Sequence, residues 1–275
     1  MSDFSADDLT CNAFLGGRLH LWQPKNGYRA GIDPVLLAAA VPAESGQSVL
    51  ELGCGAGAAV LCLAARVPGL IMTGVELQPA YAKLAERNAS ENGAEMDVVC
   101  ADLATPLGLT EVVEKIRQQG PVQVLVNNAG FGTLGAFVDT DFDSQQAMVD
   151  LHISATLRLC RAVIPYMKDA GGGSIINLSS LASFFPMRDV AVYAASKVFL
   201  NSFSESLQKE GAADNIQVQC LCPGYTHTDF HDRDSFAGFE KSAVPDAMWM
   251  SPEAVVSESL TMLDGDGKVV FVAGE

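Results

Sequence analysis

Short apolar runs alternate along this chain with longer segments of helical periodicity, and this alternation constrains the fold more than any other feature. Apolar runs of this length are typical of buried strands. A helix between consecutive strands makes the strands parallel and covers both faces of their sheet. The sequence therefore predicts an α/β fold, a single doubly wound parallel sheet with helices on both faces, in one domain of residues 1–275. The predicted strands are Ser48–Leu52, Leu70–Glu76, Met96–Cys100, Val122–Val126, Ser174–Leu178, Ile216–Leu221 and Val269–Val272. The predicted helices are Ala58–Val67, Pro79–Asn92, Leu109–Gln119, Asp143–Asp169, Ala191–Glu210 and Pro252–Leu263.

Two stretches lie outside this alternation. The first 45 residues precede the first predicted strand, and we expect them to form a helical cap around Asp33–Val41. The stretch Tyr225–Met250 has little periodicity and many polar and aromatic side chains. Such a segment is typical of a loop that covers a substrate. Trp249 either lines that pocket or belongs to the core.

Composition excludes several classes of protein. Seventeen basic against thirty-three acidic residues give a net charge of −16, whereas binding to nucleic acid normally needs a basic surface. The longest apolar stretch, Val35–Val41, is too short to span a bilayer, and the acidic start lacks the layout of a secretory signal. The seven cysteines show no metal-binding spacing with the four histidines. We therefore expect no metal, and reduced thiols in a cytoplasmic protein.

A glycine-rich turn follows the first predicted strand. Gly53, Gly55 and Gly57 allow a tight turn into a helix whose free N–H groups favour an anion or nucleotide. Glu76 ends the second predicted strand, where a carboxylate accepts hydrogen bonds from ribose hydroxyls. Asp102, with Leu103 beside it, follows the third strand and is a candidate for an adenine amine. The sequence predicts a nucleotide site here; the alternative is a helix cap that binds nothing.

Tyr193 and Lys197 are one helical turn apart and so share a face of their helix. Ser180 lies thirteen residues before Tyr193, at the end of an apolar run. Singly, each has a structural alternative, namely a turn cap, a surface aromatic and a solvated charge.

These three residues, with Asn127-Asn128-Ala129-Gly130 and Pro223-Gly224-Tyr225-Thr226-His227-Thr228, resemble the short-chain dehydrogenase/reductase family over residues 101–273. The resemblance implies that Tyr193 exchanges a proton with the substrate oxygen, that Ser180 bonds that oxygen, and that Lys197 stabilises the phenolate and binds the nicotinamide ribose. It also implies pairing of subunits into a dimer or tetramer through Asp143–Asp169 and Ala191–Glu210. The cofactor residues that it implies are Asn128, Ala129, Gly130, Tyr193, Lys197, Pro223, Gly224, Thr226 and Thr228.

The front of the chain has a different resemblance. Phe14-Leu15-Gly16-Gly17-Arg18, Trp22-Gln23-Pro24, Gly27–Asp33 and Glu51–Gly57 are similar to the start of a tRNA adenine-amine methyltransferase family, over about residues 11–98. In that family the glycine loop and the acid of the second strand hold S-adenosylmethionine. Its catalytic Asn-Pro-Pro-Tyr motif is replaced here by Asn127-Asn128-Ala129-Gly130. We therefore expect a hybrid, with residues 1–98 methyltransferase-like and residues 99–275 dehydrogenase-like.

The departures from both families define the remaining hypotheses. His152 stands where the dehydrogenase family usually has an asparagine in its proton relay, so it either continues that relay or is a core histidine. The leading hypothesis is an NAD-dependent oxidoreductase acting on a small alcohol or carbonyl compound, because Glu76 would repel the extra phosphate of NADP. The alternatives are an S-adenosylmethionine-dependent methyltransferase and an inactive nucleotide-binding hybrid.

Overall fold

The computed structural model describes residues 3–27, 29–30, 34–35, 38, 41, 43–120, 122–226, 240–263 and 269–273. Seven parallel strands form the central sheet, and each predicted strand is present to within two residues. They are β3 Ser48–Leu52, β4 Ile71–Glu76, β5 Met96–Cys100, β6 Val124–Asn127, β7 Gly173–Leu178, β8 Ile216–Cys222 and β11 Val270–Val272, and two short strands that pair separately are β9 Tyr225–Thr226 and β10 Trp249–Met250.

The sheet consists of two ladders, β3-β4-β5 and β6-β7-β8-β11, that meet through a parallel bridge between Ser48 and Val122. The order is therefore β5-β4-β3-β6-β7-β8-β11, and the direction of winding reverses between β3 and β6. In open parallel sheets, ligands bind beyond the carboxyl ends of the strands at this point of reversal. The predicted doubly wound fold is confirmed.

Helices cover both faces of the sheet, with bounds close to those predicted. They are α1 Ala58–Arg66, α2 Pro79–Glu91, α3 Pro106–Gln119, α4 Phe142–Val149, α5 Thr156–Asp169, α6 Ala191–Gly211 and α7 Pro252–Leu263. The main core lies between the sheet and helices α3 and α5, where Val112, Val163 and Ile175 are fully buried. Among the residues described, no helix combines the length and the apolar character that crossing a bilayer requires.

The predicted single helix Asp143–Asp169 is wrong in its middle. Residues Asp150–Ala155 form a π-helical turn that separates α4 from α5. A π turn inserts one extra residue and rotates the side chains beyond it. Helical periodicity in the sequence does not show such an insertion, because each flanking segment keeps its own regular apolar face.

The expectation that the first 45 residues contain no strand is also wrong. Strands β1 Leu9–Phe14 and β2 Leu19–Pro24 form an antiparallel hairpin. The burial of Leu19 and Leu21 on either side of exposed His20 shows the alternation of a half-buried strand. Most of the predicted cap at Asp33–Val41 lies outside the described residues; Pro34, Val35 and Ala38 are helical.

Asn88 of α2 and Asn92, the C-cap of this helix, hold the hairpin against the rest of the molecule. Asn88 accepts from the Trp22 N–H at 2.8 Å and donates to the Trp22 carbonyl at 3.0 Å. Asn92 makes the same pair of bonds with His20, at 3.0 and 2.8 Å. Asn88 also donates to the carbonyl of Ala56 at 2.9 Å. The hairpin is thus joined through one buried side chain to the glycine-rich loop.

Candidate functional site

The glycine-rich loop turns from β3 into α1 at the point where the sheet reverses. Gly53, Gly55 and Gly57 all have positive φ angles, and Gly57 is the left-handed residue that starts α1. A β-carbon on Gly53 would meet nothing within 4 Å, so the space beside the loop is open. Within the described residues, the amides of Ala58 and Ala59 make no hydrogen bond. These features fit an anionic group of a cofactor at the start of α1.

Two acidic side chains already accept hydrogen bonds from other amides, one in this loop and one in α1. Glu76, only 7% exposed, accepts from the Gly55 N–H at 3.0 Å and from the Gln78 N–H at 2.8 Å. Glu51 accepts from the Val60 N–H at 3.0 Å. Burial, followed by repulsion from Glu76 and opposed by the Val60 bond, raises the pKa of Glu51 to about 8. Glu51 is therefore mostly protonated at neutral pH and adds little negative charge.

Asp102 and Leu103 follow β5, as the sequence predicted, and belong to the turn before α3. The Asp102 carboxylate accepts from the Ala104 N–H at 2.8 Å, and its carbonyl accepts from the Thr105 hydroxyl at 2.9 Å. This is a turn that starts α3, for which Thr105 is the N-cap. Leu103 is buried in the main core. The predicted adenine contact of Asp102 stays a prediction.

Asn128, Ala129 and Gly130 leave β6 at the same edge of the sheet. The preceding Asn127 is buried and donates to Asn177 at 2.8 Å, and Asn177 donates to Ser204 at 2.9 Å. A β-carbon on Gly130 would lie 2.7 Å from His152 Nε2, so the imidazole closes off the space beside this turn. Only glycine fits here without displacing the ring.

Ser180, Tyr193 and Lys197 come together across the ends of β7 and α6. A hydrogen bond links the Ser180 and Tyr193 side chains. Lys197 Nζ lies 5.6 Å from the centre of the Tyr193 ring and donates to the carbonyl of Leu178 at 2.8 Å. Ser180 also caps a short 3₁₀ turn, where its Oγ accepts from the Ala182 N–H at 3.2 Å. The capping role and the contact with Tyr193 are therefore compatible.

The two ionisable groups of this cluster are perturbed by burial. The pKa of Tyr193 is raised by burial, which the bond from Ser180 partly opposes. Lys197 is 7% exposed, and burial lowers the pKa of its ammonium to about 8, against the upward effects of Cys220 and Cys222. The structural alternative of a solvated surface charge is thus wrong for Lys197. A buried lysine with a lowered pKa beside a tyrosine is typical of a catalytic site.

His152 lies in the π turn and packs against this cluster. Its ring is 2% exposed, its Nδ1 is 2.8 Å from Ser196 Oγ, and its centre is 6.0 Å from that of Tyr193. Ser196 Oγ in turn donates to the Tyr193 carbonyl at 2.7 Å. Burial, followed by the charge of Lys197 and opposed by the Phe131 backbone, lowers the pKa of His152 to about 3. The imidazole is therefore neutral at physiological pH.

Residues after β8 complete this edge of the sheet. The Pro223 carbonyl accepts from the Leu181 N–H at 2.8 Å, and Leu181 also contacts the space beside Gly224. Tyr225–Thr226 pairs with Trp249–Met250, and the Tyr225 and Trp249 rings are 5.5 Å apart. Thr228 and half of the predicted covering loop, residues 227–239, lie outside the described residues. Among the residues that are described, no cluster of side chains is suited to a metal ion.

Sequence reasoning missed the residues that hold Ser180 in place. Asn201 and Ser183 hydrogen-bond to one another at 2.8 Å, and Ser179 Oγ lies 2.6 Å from Asn201 Oδ1. Asn201 is four residues after Lys197, so their common helix face was a signal available in the sequence.

A protein family and several known proteins match parts of this chain. The sequence model described as short chain dehydrogenase matches residues 53–235. An uncharacterized oxidoreductase of Staphylococcus saprophyticus is 31% identical over 160 residues, which are 58% of this chain and 68% of that protein. A 3alpha-hydroxysteroid dehydrogenase of Mediterraneibacter gnavus is 35% identical over 122 residues, 44% of this chain and 49% of that protein. The chain thus matches between about half and two thirds of the length of these relatives.

Solved structures show the same similarity. A short-chain dehydrogenase from Sphingobium yanoikuyae in complex with NADPH has a TM-score of 0.69 and 29% identity, over 82% of this chain and 87% of that one. L-sorbose reductase from Gluconobacter frateurii, complexed with NADPH and L-sorbose, has a TM-score of 0.67 and 27% identity, over 83% and 95%. Since the family match covers more than half of the residues, the chain belongs to the short chain dehydrogenase family of oxidoreductases.

Proposed function

We propose that this protein is a nicotinamide-dependent oxidoreductase that interconverts an alcohol and a carbonyl group, with Ser180, Tyr193 and Lys197 as its catalytic residues. The observation that carries the proposal is the buried Lys197 ammonium, one helical turn from Tyr193, while Tyr193 shares a hydrogen bond with Ser180. When bound, the nicotinamide ring would supply or accept the hydride. The chain's own residues then have to position the substrate oxygen and move one proton.

Tyr193 and Ser180 would both contact the substrate oxygen. Because burial raises the pKa of Tyr193, the phenol keeps its proton at neutral pH and is suited to donate it during carbonyl reduction. The nearby positive charge of Lys197 stabilises the phenolate that this donation leaves. Ser180 would donate its hydroxyl to the same oxygen and fix the angle of approach.

The cofactor site is proposed along the edge between β3 and β6. The open amides at the start of α1 would hold the pyrophosphate beside Gly53, Gly55 and Gly57, and Glu76 would accept from the adenosine ribose. A carboxylate at Glu76 favours NAD over NADP, by repulsion of a ribose phosphate. The nicotinamide half would lie against Lys197 and Tyr193. The other proposed cofactor contacts are Asp102 at the adenine amine, with Leu103 beside it, and Asn128, Ala129, Gly130, Pro223, Gly224, Thr226 and Thr228.

His152 is proposed to support this site from beneath. Its ring fills the space between Gly130 and the Tyr193–Ser196 turn. With a pKa of about 3, it would act in a proton relay only as a neutral tautomer, donating at one nitrogen while accepting at the other.

The front of the chain and the assembly are separate proposals. We propose that residues 11–98 share their origin with a methyltransferase-like βαβ unit; the dehydrogenase family match already covers residues 53–98 of this segment and leaves out only the part before residue 53, which contains the hairpin. The matches reported above are all to oxidoreductases, so S-adenosylmethionine as a cofactor has no support from them. We also propose a homodimer or tetramer, because Leu157 and Val198 are 38% and 48% exposed on the two predicted pairing helices.

The test is turnover of a panel of ketones and secondary alcohols with NADH and NADPH, followed by absorbance at the reduced cofactor's band. The wild type is expected to turn over at least one substrate. Tyr193→Phe is expected to lower kcat by about 10² to 10⁴, the usual contribution of a general acid. Tyr166→Phe, on α5, is the matched control and should keep wild-type turnover. Full turnover by the Tyr193 variant would show that its assigned role is wrong.

A further inference from the structure

We propose that Asn201 is a positioning residue that sets the placement of Ser180 relative to Tyr193 and Lys197. Asn201 lies on α6, one turn beyond Lys197, and its side chain reaches the segment that carries Ser180 on both sides of that residue. Its Oδ1 is 2.6 Å from the hydroxyl of Ser179, and its Nδ2 donates to the hydroxyl of Ser183 at 2.8 Å. No motif of the family resemblance includes it.

The bonds on the two sides converge on Ser180. On the far side, the Ser183 hydroxyl donates to the Ser180 carbonyl at 2.6 Å, so Asn201 holds the turn through one intervening hydroxyl. On the near side, Ser179 Oγ also lies 2.9 Å from the carbonyl of Lys197, so Oδ1 of Asn201 and this carbonyl share its one proton. The segment from 178 to 183 is therefore fixed to α6 at both ends of Ser180.

The side-chain oxygen of Asn201 faces three hydrogen-bond donors, of which the Ser179 hydroxyl is one. The thiols of Cys220 and Cys222, side by side on β8, point at the same oxygen at 3.3 and 3.6 Å. These contacts fix which end of the amide is oxygen and which is nitrogen. The Nδ2 must then face Ser183. The two cysteines thus also orient Asn201.

This arrangement matters because Ser180 has two bonding tasks. Its Oγ caps the turn that Ser183 ends and is bonded to Tyr193, and a small shift of the turn would break the second contact. Lys197 Nζ anchors the same strand end at the Leu178 carbonyl. One helix face therefore places all three proposed catalytic groups, and Asn201 is its connection to Ser180.

The test is a double-mutant cycle on the 13Cζ chemical shift of Tyr193, which reports the hydrogen bond of its hydroxyl without any turnover. Only the turnover readout below rests on the proposed function. The five tyrosines are ring-labelled and Tyr193 is assigned with Tyr193→Phe. Asn201→Leu and Ser183→Ala are each compared in the Ser180 and the Ser180→Ala backgrounds. Neither substitution introduces a charge, and Ser183→Ala keeps the test readable if Asn201→Leu does not fold.

We expect both substitutions to move the Tyr193 resonance toward its position in Ser180→Ala, and to leave it unchanged once Ser180 is absent. Ser204→Ala is the matched control, because Ser204 is a buried serine of α6 bonded to Asn177 and not to the Ser180 segment. It should leave the resonance in place. Equal shifts in both backgrounds, or no shift in either, would overturn the role of Asn201.

Where turnover is measurable, the same cycle applies to kcat. Asn201→Leu should lower kcat by about tenfold in the Ser180 background and by less than about twofold in Ser180→Ala, which is the signature of coupled residues. Absence of wild-type turnover with a coupled chemical shift would refute the proposed function and leave the positioning role intact. Measurable turnover with additive losses of kcat would leave the proposed function intact and refute the positioning role of Asn201.

Discussion

The glycine-rich loop and the Ser180–Tyr193–Lys197 cluster lie at the same edge of the sheet, but the ionisable groups beside them are acidic at the loop and basic at the cluster. Beside the loop lie two acidic side chains, Glu51 of β3 and Glu76 of β4, which accept hydrogen bonds from the amides of Val60 in α1 and Gly55 in the loop. The cluster contains one buried cation, Lys197, bonded to a backbone carbonyl. One end of the proposed cofactor site is thus acidic and the other is basic.

This contrast indicates that the loop contributes to binding of the cofactor, and that the cluster contributes to the chemistry. A pyrophosphate at the start of α1 gains from the open amides and the helix dipole, but it lies close to the two carboxyl groups. A nicotinamide ribose at Lys197 meets a positive charge in a site of low dielectric. We therefore expect the loop to be sensitive to the protonation of Glu51, and the cluster to depend on Lys197.

The largest effect is expected when the positive charge at the basic end of the site is removed. Lys197→Met keeps the length of the side chain but removes the charge that stabilises the Tyr193 phenolate. Turnover should fall by at least about 10²-fold, the lower range for loss of such catalysis, and the affinity for NADH should fall with it. Lys209→Met, an exposed lysine of the same helix, serves as the control. Equal losses in both variants would contradict the assignment.

The next effect tests the connection between the hairpin and the loop. Asn88 is fully buried and makes three hydrogen bonds, two to Trp22 and one to Ala56. Asn88→Ala should lower the free energy of unfolding by about 2–3 kcal/mol, because it leaves buried polar groups without partners. Asn92→Ala is the comparison, since Asn92 binds the hairpin but not the loop. Denaturant unfolding measures the stability, and calorimetry with ADP should show weaker binding in Asn88→Ala alone.

A third prediction concerns acid stability at the basic end. The native state keeps His152 neutral down to about pH 3, whereas an unfolded histidine takes up a proton near pH 6.5. The unfolded state therefore binds more protons between these values, and stability is lost as the pH falls through this window. Between pH 7 and pH 5 the loss due to His152 is about 2 kcal/mol.

The measurement is urea unfolding of the wild type and His152→Asn at both pH values. Between pH 7 and pH 5, the free energy of unfolding should fall by about 2 kcal/mol less in the variant than in the wild type. This difference does not depend on the stability of the variant at pH 7. If the two proteins lose the same stability, the histidine is not held neutral in the native state.

The smallest effect is expected from the protonation of Glu51 at the acidic end of the site. Because the pKa of Glu51 is raised to about 8, it gains a negative charge between pH 7 and pH 9. The affinity for ADP, which cannot reach Lys197, should weaken by several-fold over this interval. Glu51→Gln should bind with the same affinity at both pH values. An unchanged pH dependence in the variant would show that another group controls the loop.

The sheet could be predicted from the sequence because its strands are continuous apolar runs. Met96–Cys100 and Ser48–Leu52 have the predicted bounds. The hairpin was missed because Thr10 and Asn12 alternate with apolar residues in β1, so that this strand is not a continuous apolar run, although Gly16-Gly17 marks the turn. The proposed catalytic set could be recognised from Tyr193 and Lys197 on one helix face. Its support could not, because Asn201 meets Ser179 and Ser183 only after β7 and α6 have packed.

We expect this chain to bind a nicotinamide dinucleotide across both ends of the proposed cofactor site. The direct test is calorimetric titration of the protein with NADH, NADPH and S-adenosylmethionine in parallel. We predict binding of a nicotinamide dinucleotide, with NADH tighter than NADPH because of Glu76, and weaker binding of the same cofactor to Lys197→Met. Binding of S-adenosylmethionine alone would contradict the account.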